Sequence, residues 1–225
     1  MDRHSGEKPL TTQQFWEDFY QKELNNFADT GDTGEVWFGK HREGRILAWI
    51  QQHEQLIPRS SQVVDIGCGN ASLLIKMSKC NFTHLTGLDY SANSLDLANR
   101  IAAREGCEIQ FEHCDILCLP KRLEAKFDIV LDKGTFDVIY MRGDSEHSVP
   151  LYVKNVLRLF HTKGGQYRFL LIASCNCTEK ELRSLFLQGF QFFDRIPFQT
   201  YTFGSQSGSA VTCLIFVPHQ NGQPG

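Results

Sequence analysis

The spacing of apolar residues changes period along the chain, and each change marks an element. Between Gln13 and Phe27 the residues Phe15, Trp16, Phe19, Tyr20, Leu24 and Phe27 recur at helical spacing, with Thr11 or Thr12 placed as the cap. A second helix is predicted from about Arg42 to His53 on Ile46, Leu47, Trp49 and Ile50, and Pro58 marks its exit. Val63 to Ile66 reads as a buried strand broken only by Asp65; Gly67 and Gly69 then allow a sharp turn, and Leu73, Leu74 and Met77 resume the helical period. Strand His84–Asp89, helix Ala92–Glu105 ended by Gly106, strand Glu108–Cys114 and strand Phe127–Leu131 follow. The rest reads as a helix from Pro150 to Phe160 stopped at Gly164-Gly165, a strand from Tyr167 to Ala173 and a short helix from Thr178. Two last strands, Phe190–Phe198 and Val211–Val217, are joined by Tyr201–Ser209.

Strands alternating with helices predict an α/β fold with an open, mostly parallel sheet, closed by an antiparallel last strand. The organisation expected is a disordered stretch over 1–12, a helical segment and lid over 13–58, an α/β core over 59–218 and a disordered tail over 219–225. A net charge of −3 argues against a protein that holds nucleic acid mainly through phosphates. No apolar run has the length of a membrane span, and the start Met-Asp-Arg-His-Ser-Gly lacks a signal peptide's apolar core. The expectation is a cytoplasmic monomer, with the nucleus as a second location and neither membrane nor nucleic acid as partner. The eight cysteines sit mostly within apolar patterns, as reduced thiols do, and neither Cys114/Cys118 nor Cys175/Cys177 has zinc-ligand spacing, so no metal is expected.

The candidate chemistry gathers at strand ends. A dinucleotide fingerprint wants a third glycine where this chain has Ser72, and the carboxylate of Asp65 would repel a pyrophosphate while suiting a ligand with a cationic or amino group. The pattern Asp65-x-Gly67-x-Gly69 resembles the first motif of the class I methyltransferases, which implies S-adenosylmethionine as cofactor and a Rossmann-like sheet of seven strands with helices on both faces. Asp89, about 20 residues beyond the glycine turn, can accept both hydroxyls of a ribose or can cap the helix near Ser91. Asp115 can accept from an adenine amine, with Ile116 against the ring. Asp132, at the end of the fourth strand, can orient an acceptor amine or cap the turn at Gly134. Trp37 and Phe38, after the loop Asp29–Glu35, read either as a satellite of the core or as a lid.

Longer blocks carry a narrower resemblance. Gly31-Asp32-Thr33-Gly34-Glu35 with Trp37-Phe38-Gly39, then Asp132-Lys133-Gly134-Thr135-Phe136-Asp137, Ser174-Cys175-Asn176 with Thr178, and Phe203-Gly204 with Ser207-Gly208 resemble the lysine methyltransferases of translation elongation factor 1-alpha, in particular the methyltransferase 2 type. The resemblance runs from about Phe15 to Val217. It implies protein-lysine methylation with elongation factor 1-alpha as the partner. It also implies Asp132 as the catalytic residue and Trp37, Asp65, Gly67, Gly69, Asn70, Asp89, Tyr90, Asp115 and Ile116 around the cofactor. Phe38, Phe136 and Asn176 would then face the substrate. Cys68, Ala71 and Cys177 depart from the pattern, the last standing where that family tends to have tryptophan.

Overall fold

The structure, a computed structural model, describes residues 9–162, 167–198, 200–203, 206–209 and 211–219, with the backbone alone for 200–203 and 206–209. Helix α1 spans Gln13–Thr30; the Thr12 hydroxyl accepts from the Phe15 amide, and Gly31 closes the helix in the left-handed region at φ 76°. Order begins earlier than the polar N-terminus suggests: Pro9–Thr11 form a 3-10 turn with Thr11 buried, because the Trp16 ring nitrogen donates to Leu10 O at 2.9 Å. Residues 1–8 and 220–225, parts of the expected disordered ends, lie outside the described residues, as do Gly164, Gly165 and Gly204.

The remaining elements are α2 Lys40–Gln52, β1 Gln62–Ile66, α3 Ser72–Lys79, β2 His84–Asp89, α4 Ala92–Arg104, β3 Gln110–His113, β4 Ile129–Lys133 and α5 Thr135–Tyr140. After them come α6 Ser145–Leu159, β5 Phe169–Ser174, α7 Glu179–Phe186, β6 Phe190–Arg195, β7 Thr200–Phe203, β8 Gln206–Ser209 and β9 Thr212–Pro218. Seven strands form one sheet in the order β3-β2-β1-β4-β5-β9-β6. Strands β1 to β5 pair parallel, and β9 runs antiparallel to both β5 and β6. Neighbours of β1 lie on both sides, β2 and β4, so the strand order reverses there and a crevice opens beyond the carboxyl ends of β1 and β4.

Side-chain alternation divides the core in two. Val63, Ile129 and Leu131 face α2, α3 and α4, while Val64, Ile66 and Val130 face α5, α6 and α7. Leu24 of α1 and Ile46, Trp49 and Ile50 of α2 belong to the first cluster, so the N-terminal helices share the core of the sheet.

Four elements differ from expectation. Strand β4 starts late because Asp128 spends its carboxylate on the Gln62 amide at 2.8 Å and Phe127 makes only a bridge to Phe160. Helix α5 occupies a stretch to which the sequence pattern assigned no element. Helix α6 begins before Pro150, which it tolerates because Pro150 and Glu146, whose carbonyl loses its partner, are both exposed. The expected connector 201–209 is itself largely a hairpin, β7 with β8.

Candidate active site

A cleft of about 1030 Å³, counting its open mouth, occupies the reversal point. The glycine loop, the ends of β2, β3 and β4, helix α1 and the segment before α2 all line it. Helix α1, expected only as part of the helical segment and lid with no site residue of its own, supplies Trp16, Phe19 and Tyr20 to the cleft. Its apolar face is wider than one core contact needs, which is the signal that could have marked them.

Gly67 and Gly69 take φ 62° and 56°. A Cβ at Gly67 would run into the Thr135 side chain, and one at Gly69 would lie 2.5 Å from the Tyr20 hydroxyl, so both positions need glycine for α5 and α1 to close on the loop. Asp89 accepts from the Gly69 amide at 3.0 Å with one oxygen and from the Ser91 amide at 2.9 Å with the other. The Ser94 hydroxyl also lies against this carboxyl, and the acceptor capacity left over is available to the cleft. Burial pushes this carboxyl up and the two amides pull it down. The cap of α4 is Ser91, whose hydroxyl accepts from the Ser94 amide, reinforced by Glu17 of α1, which accepts from the Ala92 and Asn93 amides at 2.9 and 3.2 Å. The Tyr90 hydroxyl is buried without a hydrogen-bond partner and lines the cleft. Asp115 keeps one oxygen on the Leu117 amide at 2.8 Å, and Ile116 lies beside it, its carbonyl held by Asn155 at 2.8 Å.

Two candidates point elsewhere. Alternation sends Asp65 to the α2 and α3 side of the sheet and Asp132 to the α5 and α6 side, and neither lines the cleft. Asp65 lies buried with Oδ1 unpartnered, near a cluster in which Glu43, fully buried, accepts from Ser72 Oγ and Lys76 Nζ, each at 2.7 Å, with Lys133 Nζ at 3.7 Å. Asp132 was proposed to orient the amine; instead it accepts from the Thr135 amide at 3.0 Å, the Phe136 amide at 3.0 Å and the Tyr152 hydroxyl at 2.5 Å. Its contacts are those of the capping alternative.

Burial raises Asp65 to about 8, with Lys133 opposing, and Asp132 to about 7 against its hydrogen bonds. A carboxyl whose folded pKa exceeds its unfolded value of ~3.9 binds its proton more tightly in the native state. That stability is fully present below the unfolded value and is lost as pH rises through the folded one. Thermal melts should therefore fall between pH 5 and pH 8.5, and Asp65→Asn should flatten the fall; an unchanged slope would remove Asp65 from this account.

The remaining candidates divide. The Trp37 ring lies in the cleft, packed on Gly134, where a Cβ would come within 2.6 Å of it, and edge-on to Trp16 with centroids 5.5 Å apart. Phe38 packs behind it against the first core cluster. Phe136 is fully buried in the second cluster beside Tyr152 and Phe186, so it presents no surface to a substrate. Asn176 is exposed and off the cleft; its amide N–H, with that of Cys175, donates to Asp137, which joins the two sequence blocks through α5. Asn70 lines the cleft, but its side-chain amide donates to Thr33 O and Glu35 O.

Comparison with known proteins agrees with this geometry. A family model described as a methyltransferase domain matches residues 58–199. Human EEF1A lysine methyltransferase 2 is 38% identical over 92% of this chain and 86% of its own length. Protein-lysine N-methyltransferase efm4 of Schizosaccharomyces pombe is 33% identical over 93% of this chain and 94% of its own. Among solved structures, magnesium protoporphyrin IX methyltransferase of Synechocystis with bound S-adenosylhomocysteine shares the fold at a TM-score of 0.63 and 17% identity, covering 91% of this chain and 98% of that one. With the glycine loop, the reversal point and this identity over more than nine-tenths of its length, the chain belongs to the EEF1A lysine methyltransferase 2 family, within the class I S-adenosylmethionine-dependent methyltransferases.

Proposed function

We propose that the protein methylates a lysine of translation elongation factor 1-alpha. It is an S-adenosylmethionine-dependent protein-lysine methyltransferase by family. The acceptor's identity follows from what its relatives are named for, and one observation on this chain supports it: the cleft is lined by the aromatics Trp16, Phe19 and Trp37 and by the acidic residue Glu35. Aromatic faces and an acidic group suit a lysine stem and its ammonium, through cation–π and charge, better than they suit polyanionic RNA.

The residues present fit the cofactor. We assign the remaining acceptor capacity of Asp89 to the ribose diol, the unpartnered Tyr90 hydroxyl to the same nucleoside, and Asp115 with Ile116 to the adenine edge and face. The methionine end we assign to the Gly67–Gly69 loop, which lines the cleft. When bound, the cofactor supplies an electrophilic methyl on its sulfonium. The chain must then present a neutral amine in line with it. At pH 7 neutral lysine lies about 4.6 kcal/mol uphill from its ammonium, while holding the reactants in line is worth ~7–11 kcal/mol in well-oriented systems. Trp16 and Trp37 exclude water from the approach and meet the positive charge that develops on nitrogen. Asp132 acts at one remove, fixing the start of α5 and with it Gly134 and Thr135 at the cleft.

We place this activity in the cytoplasm, where translation factors work, with the nucleus second, and in a monomer. Labelled S-adenosylmethionine incubated with the protein and a cell extract tests the substrate class. Label is expected in protein; label confined to RNA or small metabolites would refute protein methylation.

A further inference from the structure

Residues 31–39 connect α1 to α2 without helix or strand, and within them the backbone hydrogen bond from the Gly39 amide to Val36 O is a rare local tie. Their carbonyls are held instead by side chains: Arg42, in α2, donates to Phe38 O at 3.1 Å, and the others come from three places farther along the chain. Arg104, at the end of α4, donates to Gly31 O at 2.7 Å. Asn70, in the glycine loop, donates to Thr33 O at 2.9 Å and Glu35 O at 3.0 Å. Lys133, at the end of β4, donates to Trp37 O at 3.4 Å. The amide of Asn70 can take only this orientation, because its Oδ1 accepts from the Ser72 amide at 3.3 Å and a flip would set that oxygen against two carbonyls.

Asn70 is therefore 8% exposed with its hydrogen-bonding groups already committed, on the loop that cradles the donor. What it holds is the segment that brings Glu35 and Trp37 to the cleft. We infer that Asn70 is a positioning residue for the acceptor lysine: it fastens the Glu35–Trp37 wall to the donor loop, so that acceptor entry and donor site keep one geometry. This rests on the reading of that wall as the acceptor's approach.

The test uses the full chain and Asn70→Ala. Hydrogen exchange at the segment's bonded amides, those of Gly34 and Gly39, should rise by up to about thirtyfold, the equivalent of two lost neutral hydrogen bonds, while β1 and α4 keep their protection. S-adenosylmethionine affinity by calorimetry should stay within about threefold of wild type, and kcat/KM for the protein acceptor should fall by about thirtyfold or more. Equal losses in donor affinity and turnover would overturn the inference by making Asn70 a donor contact, and unchanged exchange would overturn it by showing the wall held without Asn70. If Asn70→Ala does not fold, Asn70→Asp decides, since it keeps an oxygen for the Ser72 amide but has no N–H for Thr33 O and Glu35 O: faster exchange in the segment with donor affinity kept supports the inference, and unchanged exchange refutes it. A wild-type chain that methylates no protein would instead refute the substrate class, leaving exchange and affinity to judge the wall.

Discussion

Asp89→Ala is expected to weaken S-adenosylmethionine binding by at least about a hundredfold. Two hydrogen bonds from ribose hydroxyls to a carboxylate are worth about 1.5–3 kcal/mol each, so their joint loss is about 3–6 kcal/mol, or two to four decades. The substitution also frees the Gly69 and Ser91 amides that Asp89 now holds, and so loosens the glycine loop. Asp89→Asn separates the two effects, because an amide oxygen still serves one of those donors. Calorimetry on both folded variants should give Asn a smaller loss than Ala; wild-type affinity in Asp89→Ala would confine Asp89 to holding the loop.

Asp132→Ala is expected to strike folding rather than chemistry. Removing the carboxylate leaves the Thr135 and Phe136 amides and the Tyr152 hydroxyl without their acceptor in a site only 2% exposed. Each unsatisfied buried group costs about 1–3 kcal/mol, so roughly 3 kcal/mol or more should be lost, a large share of a domain's stability. Asp132→Asn keeps an oxygen for the α5 amides and, being neutral, escapes the burial cost that raises Asp132 to about 7. It should recover most of the melting temperature and most of the turnover. A well-folded Asp132→Asn that binds donor normally yet transfers no methyl would restore Asp132 to a catalytic role.

The strand ends were legible because they are local signals. β2 could be read to its last residue, Asp89, since an apolar alternation stops there and a capped helix follows two residues on. The acidic residues looked equivalent in the sequence, yet strand parity separates them. Asp65 sits two residues from Val63 and Asp132 two from Val130, and those neighbours lie in opposite core clusters. Applied to β1 and β4, the period-two rule puts the two on opposite faces of the sheet and so denies them a shared site, but it does not say which helices cover each face. Helix α5 escaped notice because six residues rich in β-branched and aromatic side chains carry no clear helical period. Long-range hydrogen bonds such as Asn70 to Thr33 leave no trace in local pattern at all.

The most direct measurement is methyl transfer to folded, purified elongation factor 1-alpha, followed by peptide mass spectrometry. The account predicts that the full chain and S-adenosylmethionine add whole methyl groups to a lysine ε-amine of that factor, and that Asp89→Ala at the same donor concentration adds far fewer. If that factor stays unmodified while RNA or a small molecule takes up methyl groups from the same preparation, the assignment is contradicted.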